Sequence, residues 1–93
     1  MISTHVLDTA SGRPAAGVPV ELYRGDELVA SGETDGDGRI RELADVSEGT
    51  YRLVFHPPSP FFTRVELEVQ LGAGHHHIPL LLSPYQCTIY RGS

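Results

Sequence analysis

Four of the five histidines lie in two short segments near the ends of the chain, His5 in one and His75, His76 and His77 in the other. An imidazole can take up or release a proton near neutral pH, because its ordinary pKa is about 6.5. Side chains alternate between the two faces of a strand, so His75 and His77 share one face while His76 lies with Ile78 on the other. By the same alternation, His5 lies opposite its two neighbours. We predict that His5 and His77 both face away from the core, where a pair of imidazoles indicates a functional site.

Two kinds of site can be built from these histidines. His75 and His77, at positions i and i+2 of one strand, could bind zinc together with His5 from a neighbouring strand. No carboxylate or thiolate lies at ligand spacing beside them. A site without metal is therefore favoured, and we expect neither a metal nor a cofactor.

A fixed positive charge is available at Arg39, which follows Gly38 at the start of a predicted strand. A side chain at this place projects near a turn and can reach an anion, although an isolated arginine is more often a solvated surface charge. The chain ends with Tyr90-Arg91-Gly92-Ser93, directly at the end of its last predicted strand. This arrangement would hold the terminal carboxylate in place.

Several reaction classes lack the residues that they need. All seven basic residues are arginine, so chemistry that requires a lysine, such as Schiff-base formation, is excluded. The chain has no Gly-x-Ser-x-Gly elbow, no phosphate-binding glycine loop and no recognisable pair of catalytic carboxylates. A net charge of -5 argues against nucleic acid as a partner, because binding to phosphates needs a concentrated basic surface.

Cys87 is the only cysteine, so the chain cannot form an internal disulfide and nothing indicates an oxidising compartment. No apolar run approaches the roughly 20 residues that a membrane-spanning helix needs, and no charged and apolar leader precedes the first predicted strand. We therefore expect a cytoplasmic protein without a membrane partner.

Strand periodicity runs through the chain, and no segment shows the spacing of an amphipathic helix. The alternation is clearest where Val65, Leu67, Val69 and Leu71 fall on one face. Eight strands are predicted in all, each bounded by turn residues. They cover residues 3–8, 18–23, 28–33, 39–43, 50–56, 64–71, 75–82 and 86–91.

Short strands separated by turns, without helices for parallel crossovers, predict antiparallel sheets packed as a β-sandwich. With 93 residues, 40% of them apolar, the chain is long enough for one packed domain, which we assign to residues 1–93. The segment Asp35-Gly36-Asp37-Gly38 resembles the start of a calcium-binding loop but lacks the glutamate at its twelfth position, so a hairpin turn is favoured.

Five segments carry a resemblance to a known family. They are Ser3-Thr4-His5-Val6-Leu7-Asp8, Gly12-Arg13-Pro14-Ala15, Thr34-Asp35-Gly36-Asp37-Gly38-Arg39, residues 75–84 and Tyr90-Arg91-Gly92-Ser93. In their order and spacing, which cover nearly the whole chain, the sequence resembles the 5-hydroxyisourate hydrolases of the transthyretin-related family. Transthyretin itself has other residues at the positions of His5, Arg39 and the C-terminal tetrapeptide, so the resemblance favours the hydrolases over hormone carriers.

The resemblance implies a transthyretin-like β-sandwich that assembles as a homotetramer, with active sites in the channel between dimers. It also implies hydrolysis of 5-hydroxyisourate to 2-oxo-4-hydroxy-4-carboxy-5-ureidoimidazoline in urate breakdown, without metal or cofactor. One histidine would act as a base and an arginine would stabilise the developing oxyanion. By motif position, the catalytic residues would be His5, Arg39, His77 and Ser93, and the substrate-binding residues would be His75, Tyr90, Arg91 and Gly92.

Three features differ from the family pattern. Family members carry a short helix between the fifth and sixth strands of their fold, whereas here Pro57-Pro58-Ser59-Pro60 leads directly to Phe61, so we expect that helix to be absent. Cys87-Thr88-Ile89 precedes Tyr90 where the family tends to have Tyr-Ser-Thr. His76 replaces a usual tyrosine.

Two other functions are compatible with the predicted fold. A non-enzymatic β-sandwich binding module would explain the sheets equally well, but it gives no reason for His5, Arg39 and His77 to coexist with the C-terminal tetrapeptide. A transthyretin-like carrier of small aromatic ligands ranks third.

Overall fold

Nine strands and no helix form the fold in the computed structural model, which describes residues 1–93. In chain order the strands are β1 (Ile2–Asp8), β2 (Arg13–Pro14), β3 (Pro19–Arg24), β4 (Glu27–Glu33), β5 (Arg39–Ala44), β6 (Gly49–Phe55), β7 (Val65–Leu71), β8 (His76–Ser83) and β9 (Gln86–Ile89). No part of the chain is a helix of the length and apolarity needed to cross a membrane.

The strands form two sheets. In the first, which we call sheet A, β1 pairs with both β2 and β5 along one of its edges and with β8 along its other edge. β9 pairs with β8 and ends the sheet. Sheet B has the order β4-β3-β6-β7. The predicted all-β sandwich, without a helix between β6 and β7, is confirmed.

The core lies between the sheets and consists of one cluster of 13 buried residues. Leu22, Leu53 and Phe55 fill it from sheet B, and Ile2 and Leu80 fill it from sheet A, all with 0% exposure. Burial of each such side chain contributes about 1.5–3 kcal/mol to folding. The inward faces of both sheets are thus occupied by packing, which leaves the outer faces for chemistry.

All eight predicted strands are present, with bounds that agree to within two residues. The ninth, β2, lies where the sequence predicted only a turn, because two residues cannot display an alternating pattern. The last strand ends at Ile89 rather than at residue 91. The chain leaves the sheet at Tyr90 and returns at Gly92, whose N–H donates to the carbonyl of His77 at 2.7 Å.

One strand pair departs from the antiparallel arrangement that the sequence predicted. β1 and β8 run parallel, with Ser3 opposite His77. The hydroxyl of Thr4 donates to the carbonyl of Ile78 at 2.6 Å, which fixes the register further. Side-chain alternation is the same in both kinds of pair, so it gives no information on strand direction.

Pro79 lies inside sheet A, where proline is uncommon because it has no N–H to donate. It lies opposite His5 of β1. The carbonyl of His77, two residues earlier and so on the same side of the strand, accepts from Gly92. The nitrogen of Pro79 therefore points toward the β9 side of the strand. Because the pairing of β8 with β9 stops at Ile89, no hydrogen bond between the two strands is lost by the missing N–H.

The turn at residues 35–38 connects the two sheets. A hairpin was predicted here, but that was wrong, because β4 belongs to sheet B and β5 to sheet A. Oδ1 of Asp35 accepts the backbone N–H groups of Asp37 at 2.8 Å and Arg39 at 3.0 Å. The carbonyl of Gly38 accepts the N–H of Val6 at 2.8 Å. The carboxylate of Asp35 thus stabilises the corner, and the carbonyl of Gly38 bonds the corner to β1.

Gly38→Ala should destabilise the protein. Gly38 has a φ of 73°, and a Cβ there would lie 2.5 Å from the carbonyl oxygen of Val6. The free energy of unfolding, measured by urea denaturation, should fall by at least the roughly 1–3 kcal/mol that a strained non-glycine backbone costs. Gly36→Ala is the matched control, because a Cβ at that position meets no atom within 4 Å. Equal stability of the two variants would contradict this account of the corner.

Candidate active site

A polar cavity of about 300 Å³ opens on the outer face of sheet A. β1, β5, the start of β8 with the residue before it, and the chain end all contribute to it, and no wall residue is apolar. The wall residues are Ser3, Thr4, Arg39, Arg41, His75, His77 and Ser93.

Ser3 joins two of the histidines. Its Oγ lies 2.7 Å from Nε2 of His75 and 2.8 Å from Nδ1 of His77. Nε2 of His77 has no hydrogen-bond partner within the protein. Every buried polar side-chain atom does have a partner, so Nε2 is not buried. Because His77 lines the cavity, this nitrogen is open to it.

Arg39 brings an unpaired positive charge to the cavity. It lies opposite His5 in the β1–β5 pair, is half-buried, and forms no ion pair with a carboxylate. Arg41, by contrast, pairs with Asp35 at 2.9 Å and with Asp37 at 3.5 Å. A partly buried charge without a counter-ion is unfavourable for folding. Arg39 is therefore placed to meet an anionic or polarised group that comes from outside the chain.

The structure favours the neutral form of two histidines. Burial lowers the pKa of His5 below 6.5, and the charge of Arg39 lowers it further, whereas the backbone carbonyl of Asp37 opposes the change. Burial also lowers the pKa of His77, and Arg39, His5 and His75 add to the effect. Both rings therefore offer an unprotonated nitrogen at neutral pH, which a general base requires.

Gly92 lets the end of the chain pack against His77. The two residues form an antiparallel bridge. A Cβ on Gly92 would lie 2.7 Å from Cδ2 of His77 and 3.3 Å from Cγ of Pro79, so any other residue would have to displace the imidazole. The segment after β9 thus holds the ring from one side, and Ser93 follows in the cavity wall.

The family model of the HIUase/Transthyretin family matches residues 2–92 of the chain. The chain belongs to this family. It is 42% identical to 5-hydroxyisourate hydrolase 2 of Rhizobium meliloti (strain 1021), over 99% of this chain and 95% of that protein. The structure of Klebsiella pneumoniae 5-hydroxyisourate hydrolase is similar at 36% identity and a TM-score of 0.89, covering 99% of this chain and 97% of that chain. Transthyretin from Sparus aurata is 26% identical with a TM-score of 0.86, covering 98% and 95%.

This member of the HIUase/Transthyretin family is short. Its alignment with the Rhizobium meliloti protein spans 114 positions, whereas the chain has 93 residues. At least 21 positions, the difference between 114 and 93, therefore have no counterpart here. The chain still matches the Klebsiella pneumoniae structure over 99% of its length, and its β3–β4 turn consists of only Gly25 and Asp26.

Four of the residues that the sequence assigned to the site line the same cavity, namely Arg39, His75, His77 and Ser93. His5 is not part of the wall, but it adjoins the cavity through its pairing with Arg39. The catalytic roles of these residues remain predictions.

Tyr90 and Arg91 face a different cleft. It is mostly apolar, has a volume of about 580 Å³ and lies between β7 and β9, the edge strands of the two sheets. His76, Ile78 and Ile89 line it as well. Within a single chain, the side chains of Tyr90 and Arg91 therefore do not line the cavity of His77, and their role in substrate binding also remains a prediction.

Sequence reasoning left three of the cavity residues unassigned, namely Ser3, Thr4 and Arg41. Arg41 follows Arg39 by two residues and shares its face of β5, so the spacing carried a signal. Ser3 shares the face of His5 in the same way. Its contact with two imidazoles, however, depends on the parallel pairing of β1 and β8, which the sequence did not reveal.

The zinc site that the histidine spacing allowed is not formed by these side chains. No group of three His, Cys, Asp or Glu residues is arranged to hold a metal ion. His75 and His77 instead turn one ring nitrogen each toward Ser3.

Arg39→Gln should raise the pKa of both His5 and His77 toward 6.5, because it removes a positive charge that lowers them. Their depressed pKa values make the folded protein bind fewer protons than the unfolded chain, so stability is lost as the pH falls below 6.5. That loss should be smaller in Arg39→Gln. NMR titration of the imidazole protons measures the pKa values, with Arg52→Gln on sheet B as the control. Unchanged values in Arg39→Gln would show that its charge does not act on the rings.

Proposed function

We propose that this chain is a 5-hydroxyisourate hydrolase, which opens the pyrimidine-derived ring of its substrate with water to give 2-oxo-4-hydroxy-4-carboxy-5-ureidoimidazoline. The observation that carries the proposal is the unpaired Arg39, in one polar cavity with the neutral ring of His77 and beside the neutral ring of His5. The Rhizobium meliloti and Klebsiella pneumoniae relatives bear the name of this enzyme. A cavity of about 300 Å³ with polar walls suits a small polar heterocycle.

His77 is the proposed general base. Its Nδ1 is held by Ser3, and its Nε2 is open to the cavity. A water molecule beside Nε2 would lose a proton to this nitrogen while its oxygen attacks the ring carbonyl. A positioned imidazole contributes about 100- to 10,000-fold to the rate of such a step.

Arg39 is the proposed partner of the oxyanion. Attack by water leaves a negative oxygen on the tetrahedral carbon, and a guanidinium without a counter-ion of its own can stabilise that charge. The carbon–nitrogen bond then breaks, and the departing ring nitrogen takes a proton. That proton is the one His77 took from water, and the neutral ring of His5, which lies opposite Arg39, can pass it from His77 to the ring nitrogen. None of these steps requires a metal or a cofactor.

Carriage of a small aromatic ligand is the competing function, because transthyretin from Sparus aurata shares the fold. The polar walls of the cavity favour hydrolysis over such carriage, since aromatic ligands bind in pockets lined mainly by apolar side chains. A β-sandwich binding module would likewise leave the unpaired Arg39 without a purpose.

We further propose that the protein assembles as a homotetramer and acts in the cytoplasm. The cavity of a single chain is open, whereas hydrolysis is favoured in a site that excludes bulk water. Leu7 and Leu81 are only half-buried on the same outer face of sheet A, and a second copy of the chain would cover them. The free thiol of Cys87 suits a reducing compartment.

The decay of ultraviolet absorbance of freshly generated 5-hydroxyisourate tests the activity. His5→Ala, Arg39→Ala and His77→Ala should each lower kcat by roughly a hundredfold or more, because each removes an acid–base or oxyanion group. His56→Ala is the matched control, since His56 binds Glu21 at 2.7 Å on sheet B, and it should keep the wild-type kcat. Near-normal turnover by His77→Ala would refute the assignment of the base.

Light scattering at micromolar concentration should give about four times the chain mass of 10.1 kDa. Leu81→Arg places a charge on the outer face of sheet A, so it should reduce the mass and the turnover together. Thr50→Arg, at an exposed position of sheet B, should change neither. A wild-type protein that is a monomer and yet fully active would contradict the tetramer.

A further inference from the structure

Ser3 offers one hydrogen to two imidazole nitrogens. Its Oγ lies 2.7 Å from Nε2 of His75 and 2.8 Å from Nδ1 of His77, and both are hydrogen-bond distances. A hydroxyl carries a single hydrogen, and Ser3 is only 6% exposed with no other partner, so accepting from both rings would leave its O–H unpaired. Ser3 therefore donates to one ring and accepts from an N–H of the other. The position of the hydrogen in one ring therefore determines its position in the other.

The orientation of this hydroxyl decides whether His77 can act as a base. When Ser3 accepts from Nδ1–H of His77 and donates to His75, the Nε2 of His77 presents a lone pair to the cavity. When Ser3 donates to Nδ1 of His77, that Nε2 carries the hydrogen instead. The guanidinium of Arg39 in the same cavity attracts a lone pair and repels an N–H group, so it favours the first arrangement.

We propose that Ser3 is a positioning residue that passes a proton between His77 and His75, so that these three side chains link the cavity to solvent. The inference rests on the proposed function, in which Nε2 of His77 takes a proton from water. As it does so, Nδ1 of His77 gives its hydrogen to Oγ of Ser3, and Ser3 gives its own hydrogen to Nε2 of His75. His77 and Ser3 end neutral, and His75 ends positively charged.

The cycle closes by the reverse transfer. His75 first releases its extra proton to bulk water. When the Nε2 hydrogen of His77 later goes to the departing ring nitrogen, His75 takes a proton from water, and the chain returns a hydrogen to Nδ1 of His77 through Ser3. No bond between heavy atoms changes in the relay, and each side chain regains its starting state.

The surroundings of the two rings favour a charge on His75 rather than on His77. His77 is half-buried and lies near Arg39 and His5, so a positive charge on it would be poorly solvated and repelled. His75 is exposed, so water can solvate its charge and accept its proton. The lowered pKa of His77 agrees with this direction of transfer.

Backbone pairing holds Ser3 in place for this role. Ser3 lies opposite His77 in the parallel pair of β1 and β8. The adjacent bond from Thr4 to the carbonyl of Ile78, 2.6 Å long, keeps the strands from sliding. Ser3 is only 6% exposed, so its hydroxyl is largely shielded from competing water.

NMR of the imidazole nitrogens in nitrogen-15-labelled protein without substrate tests the coupling. In the wild type at neutral pH, the hydrogen of His77 should reside on Nδ1, and Ser3→Ala and His75→Ala should each shift it toward Nε2. Tyr51→Phe on sheet B, which removes a hydroxyl bonded to the carbonyl of Ser47, should leave His77 unchanged. A wild-type hydrogen on Nε2, or no response of His77 to either variant, would overturn the proposal. Because His75 is exposed, its variant also serves if Ser3→Ala does not fold.

Turnover provides the second measurement. Ser3→Ala should lower kcat by roughly ten- to a hundredfold with little change in KM, as expected for loss of a group that orients a functional histidine. Ser3→Thr keeps a hydroxyl and should restore most of kcat. His75→Ala should act like Ser3→Ala, and the double variant should be no slower than either, because one chain of transfers is broken in all three. Full kcat in Ser3→Ala, or additive losses, would overturn the relay. An inactive wild type would instead refute the proposed function, and the NMR result would still decide the coupling.

Discussion

Seven consecutive residue pairs join β1 to β8 in parallel, and the arrangement of the candidate site depends on this register. A shift of one residue would turn Ser3 and His5 to the opposite face of the sheet, because side chains alternate along a strand. The core opposes such a shift, since Ile2, Val6 and Leu80 point inward with 0% exposure and would be moved to the surface. The packing that stabilises the sandwich therefore also sets the distances between Ser3 and the imidazoles.

The corner between the sheets explains why Arg39 keeps an unpaired charge although two carboxylates lie in the same turn. Oδ1 of Asp35 accepts the backbone N–H of Arg39, while its Oδ2 binds Arg41, and Asp37 also binds Arg41. The bond from the backbone of Arg39 is the main reason for the lowered pKa of Asp35, so this carboxylate stays ionised and engaged. Arg41 thus engages both carboxylates of the turn, and the guanidinium of Arg39 remains available to a ligand. Arg39 is thus left without an ion pair, and functional sites commonly give up stability for activity in this way.

The sequence was sufficient for features that depend on local periodicity and insufficient for those that depend on pairing. Alternation alone placed His5 and His77 on an outer face, and the structure agrees, because both flank the polar cavity. The parallel direction of β1 and β8 arises between residues more than 70 positions apart, such as Ser3 and His77, and no local pattern encodes it. The turn at residues 35–38 was misjudged for a related reason, since its chemistry is the same whether the next strand stays in the sheet or crosses to the other. The functional roles expected of Arg39 and Ser93 came from family resemblance, because neither residue type nor spacing distinguishes them from ordinary surface groups.

The proposed chemistry depends on a few side chains of sheet A, and the short connections of this chain do not contribute to it. A hydrolase from Klebsiella pneumoniae and a transthyretin from Sparus aurata share the sandwich at TM-scores of 0.89 and 0.86, so the fold alone does not choose between them. The difference between the two functions must lie in side chains on one face of sheet A, and these come from β1, β5, the start of β8 and the residues after β9. None of them belongs to the β3–β4 turn or to the segment between β6 and β7, where the family helix is absent. The length of these connections therefore does not bear on the register of β1 and β8, which, together with the core, places the proposed base, its serine partner and the unpaired guanidinium.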